Sequence, residues 1–329
     1  MPADTVLVID AGSSALRALS VRAGGVVTAV ASELWPVFVP ADAAPFGREF
    51  DAAEVQRALW RLVAAAAASR AEIAAVAFTG QREGIAFIDE RGGALCASPN
   101  VDARASAEGM AIDAVHTDEI YTVTGHLPSL MQAPAKFAWL RAHRPELAAR
   151  VAHVLPLVDW LAMLVTGSTR MSRSLGVENG LLDVSAGAVP ADLLARLGLP
   201  PDAVPPFVAD GTISGAVAEG DLAGVPVVSA GADTQCALVG MAAVEAGDGG
   251  VAAGWSAPVQ LVTNAPVFDS EKRTWTGVHV VAGRWILESN AGEMGRAWDW
   301  ICAMMGLDTA EAERLSTATP AGRSARRAP

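Results

Sequence analysis

The chain has 329 residues, 52% of them apolar, with a mean hydropathy of +0.32 and a formal charge of −12. That length suits two domains, and the negative charge argues against nonspecific binding to nucleic acid or an anionic membrane surface. No stretch of about 18 uninterrupted apolar residues is present, no basic segment precedes a hydrophobic run, and the three cysteines, Cys96, Cys236 and Cys302, are spaced for neither a disulfide framework nor a zinc site. The expectation is a cytoplasmic protein with no nucleic-acid or membrane partner.

Val6-Leu7-Val8-Ile9 reads as a buried strand that ends at Asp10 and turns through Gly12, Ser13 and Ser14 toward Arg17. Turn amides and hydroxyls suit phosphate oxygens, and Asp10 is placed to hold the accompanying metal. The same residues also suit a hairpin turn whose aspartate accepts backbone hydrogen bonds. A meander continues through Leu16 to Val21 and Val26 to Ala31, turning at Gly24-Gly25. Asp51 then reads as the N-cap of a helix from Ala52 to about Ala68, with Val55, Leu59, Leu62 and Val63 on one face.

Ile73 to Thr79 is the next strand, followed by Gly80-Gln81-Arg82-Glu83-Gly84. Donors and acceptors together at a strand end suit a sugar or polyol: Arg82 can donate to vicinal hydroxyls and Glu83 can accept from them. A surface Arg–Glu pair accounts for the same pattern. A hairpin pairs Ile85 to Ile88 with Ala94 to Ala97, and the polar cluster Pro99 to Arg104 reads as a helix start with a salt bridge to Arg104. Pro134 to His143, Pro145 to Val154, Leu157 to Val165 and Asp192 to Leu197 show helical spacing. The five histidines lack metal spacing and read as surface or satisfied polar residues, and the tryptophans as core fillers.

Val225 to Gly231 returns to a strand, and Asp233 opens a helix through about Met241. Asp233 suits a general base that shares the proton of a nucleophilic alcohol, or an N-cap for a helix beginning at Thr234, or both. Near residue 246 a second unit begins: Val251 to Ala253, a turn at Gly254-Trp255-Ser256, and Val259 to Thr263 echo the opening strand-turn-strand. A hairpin of Trp275 to Val281 with Arg284 to Leu287 and a helix from Gly292 to Met305 follow. From Ser316 to Pro329 the chain turns to Ser, Thr, Ala, Pro, Gly and Arg, a composition that reads as a disordered tail.

In order and spacing, these pieces resemble the FGGY family of carbohydrate kinases, within the actin/hexokinase/Hsp70 superfamily. The likeness runs from residue 5 to about 306. It rests on Asp-x-Gly-Ser-Ser-x-x-Arg at Asp10–Arg17, Thr-Gly-Gln-Arg-Glu-Gly at 79–84, Asp-x-Arg at Asp102–Arg104, Ala-Pro-x-Lys-x-x-Trp-Leu at 133–140 and Gly-x-Asp at Gly231–Asp233. The resemblance implies an α/β, actin-like, ribonuclease H-like ATPase fold: a complete first domain over 1–245 on the sugar side and a partial second domain over 246–315 on the nucleotide side. It implies ATP-dependent transfer of a γ-phosphate to a sugar or polyol hydroxyl, with ATP and Mg²⁺. Asp233 would be the base, Asp10 and Asp233 the magnesium-side carboxylates, and Gln81, Arg82, Glu83, Asp102 and Asp233 the substrate contacts. Gly12, Ser13, Ser14, Arg17, Gly254 and Ser256 would hold nucleotide phosphates. Where the family places Gly-Thr-Ser in its second phosphate loop, this chain has Gly254-Trp255-Ser256. The family's second domain also continues past this chain's end, so the expectations include a C-terminal truncation, self-association through an uncovered second domain, and, as the alternative function, an impaired fragment that binds sugar without turning over ATP.

Overall fold

The computed structural model describes residues 4–66, 72–254, 256–290, 292 and 294–318. Strand β1 (Thr5–Ala11) alternates buried and half-buried positions, with Leu7, Ile9 and Ala11 facing the core. It is followed by β2 (Ala15–Arg22), β3 (Val26–Leu34) and helix α1 (Ala52–Ala65). The Asp51 side chain accepts from the Glu54 amide at 3.0 Å and starts α1, whose Val55, Leu59, Leu62 and Val63 lie buried on one face. Next come β4 (Ile73–Gly80), the hairpin β5 (Ile85–Ile88) and β6 (Ala94–Ser98), α2 (Ser106–Thr124), α3 (Ala133–His143), β7 (His153–Pro156), α4 (Leu157–Thr166) and α5 (Arg173–Glu178). The chain then forms β8 (Thr212–Ala216), β9 (Pro226–Ala232) and α6 (Asp233–Gly240), and after them β10 (Gly249–Val251), β11 (Pro258–Thr263), β12 (Trp275–Val278), β13 (Trp285–Asn290), α7 (Met294–Met305) and α8 (Thr309–Ala318).

Among the described residues, six strands form the main sheet in the order β8-β9-β4-β1-β2-β3, with β9, β4 and β1 parallel and the outer strands antiparallel. The hairpin β5–β6 pairs with β7 in a smaller antiparallel sheet, and β10-β11-β13-β12 make an antiparallel sheet of their own. Helices α1 and α4 pack with the main sheet in one large core that includes Leu59, Leu62, Phe78, Trp160, Leu161 and Val227. The later sheet closes on α6 through Leu238, Val262 and Ile286. It also meets the end of α2, where the Tyr121 hydroxyl donates to the Thr274 carbonyl at 2.8 Å and the Thr276 amide to the Gly125 carbonyl at 2.9 Å.

Three local expectations are corrected. The predicted helix Pro145 to Val154 holds only over Pro145–Ala148, because His153–Pro156 is drawn out as β7 to pair with Ile85–Ile88. Of helix α2, over Ser106–Thr124, only the start was expected, just after the Pro99 to Arg104 cluster, and its extent was not predicted. Residues 316–318, read from composition as tail, belong to α8, and 319–329 lie outside the described residues.

Asp159 is a buried carboxyl whose burial makes stability depend on pH. It is 2% accessible and its carboxyl accepts from the Ser172 amide at 3.0 Å and from the Ser172 hydroxyl at 3.1 Å. Burial pushes it up to about 8 against those hydrogen bonds, with Asp210 adding a like charge. The folded chain therefore keeps a proton that the unfolded carboxyl releases near pH 4, and stability falls as pH rises between about 4 and 8. Asp159→Asn removes that slope. Urea unfolding should show the variant gaining about 1–3 kcal/mol at pH 9 relative to its position at pH 5. An unchanged pH slope would remove Asp159 as its source.

Candidate active site

Register brings the predicted corners together. In the main sheet Ala11 is level with Gly80 across β1 and β4, and Gly80 is level with Ala232 across β4 and β9. All three parallel strands thus end at one height, and they lead directly into Gly12-Ser13-Ser14, Gln81-Arg82-Glu83 and Asp233-Thr234. The carboxyl ends of parallel strands are where open α/β sheets bind ligands. Two glycines permit the close approach. A Cβ on Gly80 would stand 2.5 Å from the Ala11 carbonyl oxygen, and one on Gly231, where φ is +100°, would stand 2.5 Å from Ser174 Oγ.

A cleft of about 980 Å³ opens over these strand ends. Ser13, Gln81, Arg82, Glu83, Asn100 and Asp233 line it from the main-sheet side, and Gly254, Ser256, Trp275 and Asn290 from the later sheet. The first turn is braced from three sides. Trp35 Nε1 donates to the Gly12 carbonyl at 2.7 Å, Gln81 Nε2 donates to it at 3.1 Å, and Asn100 Nδ2 donates to Ser13 Oγ at 3.3 Å. Glu83 takes a left-handed backbone, φ +57°, that a non-glycine residue adopts only under constraint, and Lys136 Nζ donates to its carbonyl at 2.7 Å.

Arg82 is buried and does not pair with Glu83. Its Nη1 donates to Glu288 Oε2 at 2.7 Å and its Nη2 to Glu288 Oε1 at 2.9 Å, a two-pronged grip from β13, while Nη1 also reaches Glu178 Oε2 on α5 at 3.3 Å. Burial raises the Glu83 carboxyl, with Glu178 and Glu288 adding to the effect and Arg82 opposing it. Asp233 sits at the first turn of α6, and its Oδ1 accepts from the Thr234 amide at 2.8 Å. Burial pushes the Asp233 carboxyl up to about 7, with Arg82 opposing and Asp10 and Glu83 contributing like charge. Asp10 is raised by burial too, against Arg17, whose Nη1 stands 3.3 Å from Asp10 Oδ2. A carboxylate held near neutrality beside a cleft matches what a general base requires.

Residues 5–240 match the N-terminal domain of the FGGY family of carbohydrate kinases. The chain belongs to the FGGY family of carbohydrate kinases. It is 31% identical over 347 residues to an autoinducer-2 kinase of Klebsiella pneumoniae, covering 96% of this chain and 64% of the relative. It is 30% identical over 351 residues to an autoinducer-2 kinase of Yersinia pestis, covering 97% and 65%. The chain thus spans under two thirds of the length of these relatives. Its fold is shared with a xylulose kinase from Rhodospirillum rubrum, at a TM-score of 0.84 and 24% identity over 97% of this chain and 68% of that one. A Plasmodium falciparum glycerol kinase solved with ADP matches at a TM-score of 0.84 and 17% identity, covering 96% and 66%. The α/β, actin-like arrangement expected from the sequence is the one these FGGY kinases share.

Within this FGGY chain the predicted site residues divide. Ser13, Gln81, Arg82, Glu83, Asp233, Gly254 and Ser256 line one cleft, whereas Asp10, Gly12, Ser14 and Arg17 are not among its lining residues. Trp255 lies outside the described residues. Asp102 is placed elsewhere: it is fully buried, and its carboxylate accepts from Arg104 Nε at 2.9 Å and from the Arg48 amide at 2.8 Å, which leaves it bracing the wall rather than facing the cleft. Asp233 is not the N-cap, a place Ala232 takes. Sequence reasoning missed Glu178, Glu288, Gln235 and Gln260, and it set aside His126 and Trp275, which stand with Arg82. No local signal marks Glu288, since 206 positions separate it from Arg82. The expected impaired, sugar-only fragment finds no support in this arrangement.

Proposed function

We propose that this chain carries out, or forms the sugar side of, an ATP-dependent carbohydrate or polyol kinase of the autoinducer-2-kinase type or a related one. The observation that carries this reading is the level ending of β1, β4 and β9, which puts a serine-glycine turn, an Arg–Glu corner and an aspartate on one cleft. Residues 1–245 are read as the sugar-side unit and 246–315 as the nucleotide side. Asp233 takes the hydroxyl proton as the substrate oxygen forms its bond to the γ-phosphorus and the bond from that phosphorus to the bridging oxygen of ADP breaks. Glu83 and Arg82 hold neighbouring hydroxyls, and the Gly12–Ser14 turn with Gly254 and Ser256 supplies donors to phosphate oxygens.

Magnesium fits the donor set. Burial raises both Asp10 and Asp233, with Asp10 adding like charge at Asp233, and a magnesium ion takes one or two carboxylates and completes its shell with water and phosphate oxygens. Asp10 and Asp233 would hold it, and it would offset charge on the phosphates. Among the described residues no three His, Cys, Asp or Glu side chains converge as a closed metal cage.

Calorimetric titration of the full chain with ATP-Mg²⁺ and with glycerol, pentoses and the autoinducer-2 precursor tests the reading. The expected result is binding of at least one such sugar, tightened by nucleotide. Absence of sugar binding at millimolar concentration would overturn it.

A further inference from the structure

The cluster behind Arg82 holds more charge than a simple sugar contact needs. A guanidinium has five N–H groups. Glu288 occupies the two at its tip, and Glu178 the remaining one on Nη1. Nε–H and the second hydrogen on Nη2 point along the same remaining edge, and neither has a hydrogen-bond partner among the described residues. Glu178 is itself held: His126 Nε2 lies 3.1 Å from its Oε2, and Gln235 Nε2 donates to its Oε1 at 2.8 Å. Gln260 Nε2 donates to Glu288 Oε2 at 2.7 Å. Trp275 covers both cations, 5.6 Å from the Arg82 Cζ and 5.3 Å from the His126 ring.

His126 decides the charge of the cluster. Its Nε2 faces a carboxylate, and its Nδ1 faces the Thr124 carbonyl at 3.0 Å. Both partners are acceptors only, so the ring satisfies both when each nitrogen carries a hydrogen. The buried ring is raised by Glu178 against the effect of burial. Two cations, Arg82 and His126, then balance two carboxylates, Glu178 and Glu288. The other ionisable groups that act on the cluster are Glu83 from the β4–β5 turn and Asp233 from α6.

We propose that His126, Glu178 and Glu288 are positioning residues that turn Arg82 so that its Nε/Nη2 edge is presented to two adjacent hydroxyl oxygens of the substrate. This rests on reading the cleft as the sugar site and narrows the substrate class to vicinal diols. His126 acts as the charged tether of Glu178, and Glu288 carries the alignment from the later sheet into the sugar corner.

The test uses the full chain and two kinds of signal. In wild-type protein at neutral pH, ¹⁵N spectra should show both ring nitrogens of His126 protonated, and the Nε–H resonance of Arg82, identified by its loss in Arg82→Lys, should be resolved and shift when glycerol is added. Glu288→Gln and His126→Gln should each move that resonance without ligand and weaken glycerol binding about tenfold or more, as expected for a charge-assisted bond. ATP-Mg²⁺ affinity should stay unchanged. A neutral His126, which needs no variant to observe, would overturn the proposal, and so would an Arg82 resonance unmoved in both variants. Intact His126 and Arg82 signals with no glycerol or pentose binding in wild type would instead sink the sugar reading while leaving the alignment standing. Adjacent-diol preference is decided by comparing glycerol with 1,3-propanediol; equal binding of the two would sink it.

Discussion

Replacing Asp233 with asparagine is expected to lower sugar-dependent ADP release about 10²–10⁴-fold, the usual worth of a positioned general base. The side chain keeps its shape, and Oδ1 can still accept from the Thr234 amide, so the fold should persist. What is lost is the lone pair that receives the hydroxyl proton. Because burial pushes the wild-type carboxyl up to about 7, the base is half protonated at neutral pH, and kcat/KM should fall about tenfold for each pH unit below that value. Stability runs the opposite way. The folded carboxyl keeps its proton where the unfolded one has lost it, so wild-type stability declines as pH rises from about 4 toward 7. The variant should therefore be more stable than wild type at pH 8 while being nearly inactive. Rate and unfolding measurements on the same samples check both signs. Undiminished turnover would remove Asp233 from the mechanism, and a variant no more stable at pH 8 would contradict the burial that raises its carboxyl.

The strand ends were legible because each is a short apolar run followed closely by turn-forming residues. Val6 to Ile9 runs through Asp10 and Ala11 to Gly12, and Val227-Val228 leads through Gly231 to Asp233. Such punctuation is local, and it survives into the structure as β1 and β9. Helix α2 carries no such signal along its length. Three of its buried residues, Ile120, Tyr121 and Thr124, cluster at the end that meets the later sheet, Gly109 lies near the other end, and Met110 and Val115 stay exposed, so no apolar stripe repeats along it. The failed stretch after Pro145 shows tertiary pairing overriding propensity: β7 completes a sheet whose other strands lie more than fifty residues earlier. In the site, the residues on the three strand ends could be named in advance, but their partners could not. Arg82 reads in sequence as an exposed clamp beside Glu83; its real neighbours come from α5 and β13. The salt bridge of Arg104 in the Pro99 to Arg104 cluster was legible in sequence, but only packing reveals that Arg104 and the Arg48 amide together occupy Asp102, which leaves it no part in the cleft.

Arg82→Met should be the most destabilising single change in the cleft, about 3–5 kcal/mol at pH 7, because it strips a buried cation from two buried carboxylates. Glu178 and Glu288 are each about 1% exposed, so neither can turn to water for relief. The methionine fills much of the volume, which separates the electrostatic loss from a cavity effect. The pH dependence gives the decisive sign. In wild type, burial would raise Glu178, but Arg82 and His126 outweigh it and hold the carboxyl below its ordinary range. That contribution is fully present above the unfolded carboxyl's value near 4.3 and is lost as pH falls through the lower, folded value. In Arg82→Met the carboxylates can take up protons instead, so the gap between variant and wild type should narrow steadily below about pH 4. Adding Glu288→Gln to Arg82→Met should recover part of the loss, since an uncompensated carboxylate is removed along with its partner, and the two changes should be far from additive. Urea unfolding of wild type, both single variants and the double variant at pH 7 and pH 3 makes the full comparison. A loss under about 1 kcal/mol at pH 7, or a gap that does not move with pH, would mean that the buried pairing of Arg82 with Glu288 and Glu178 does not hold the two sheets together as the geometry requires.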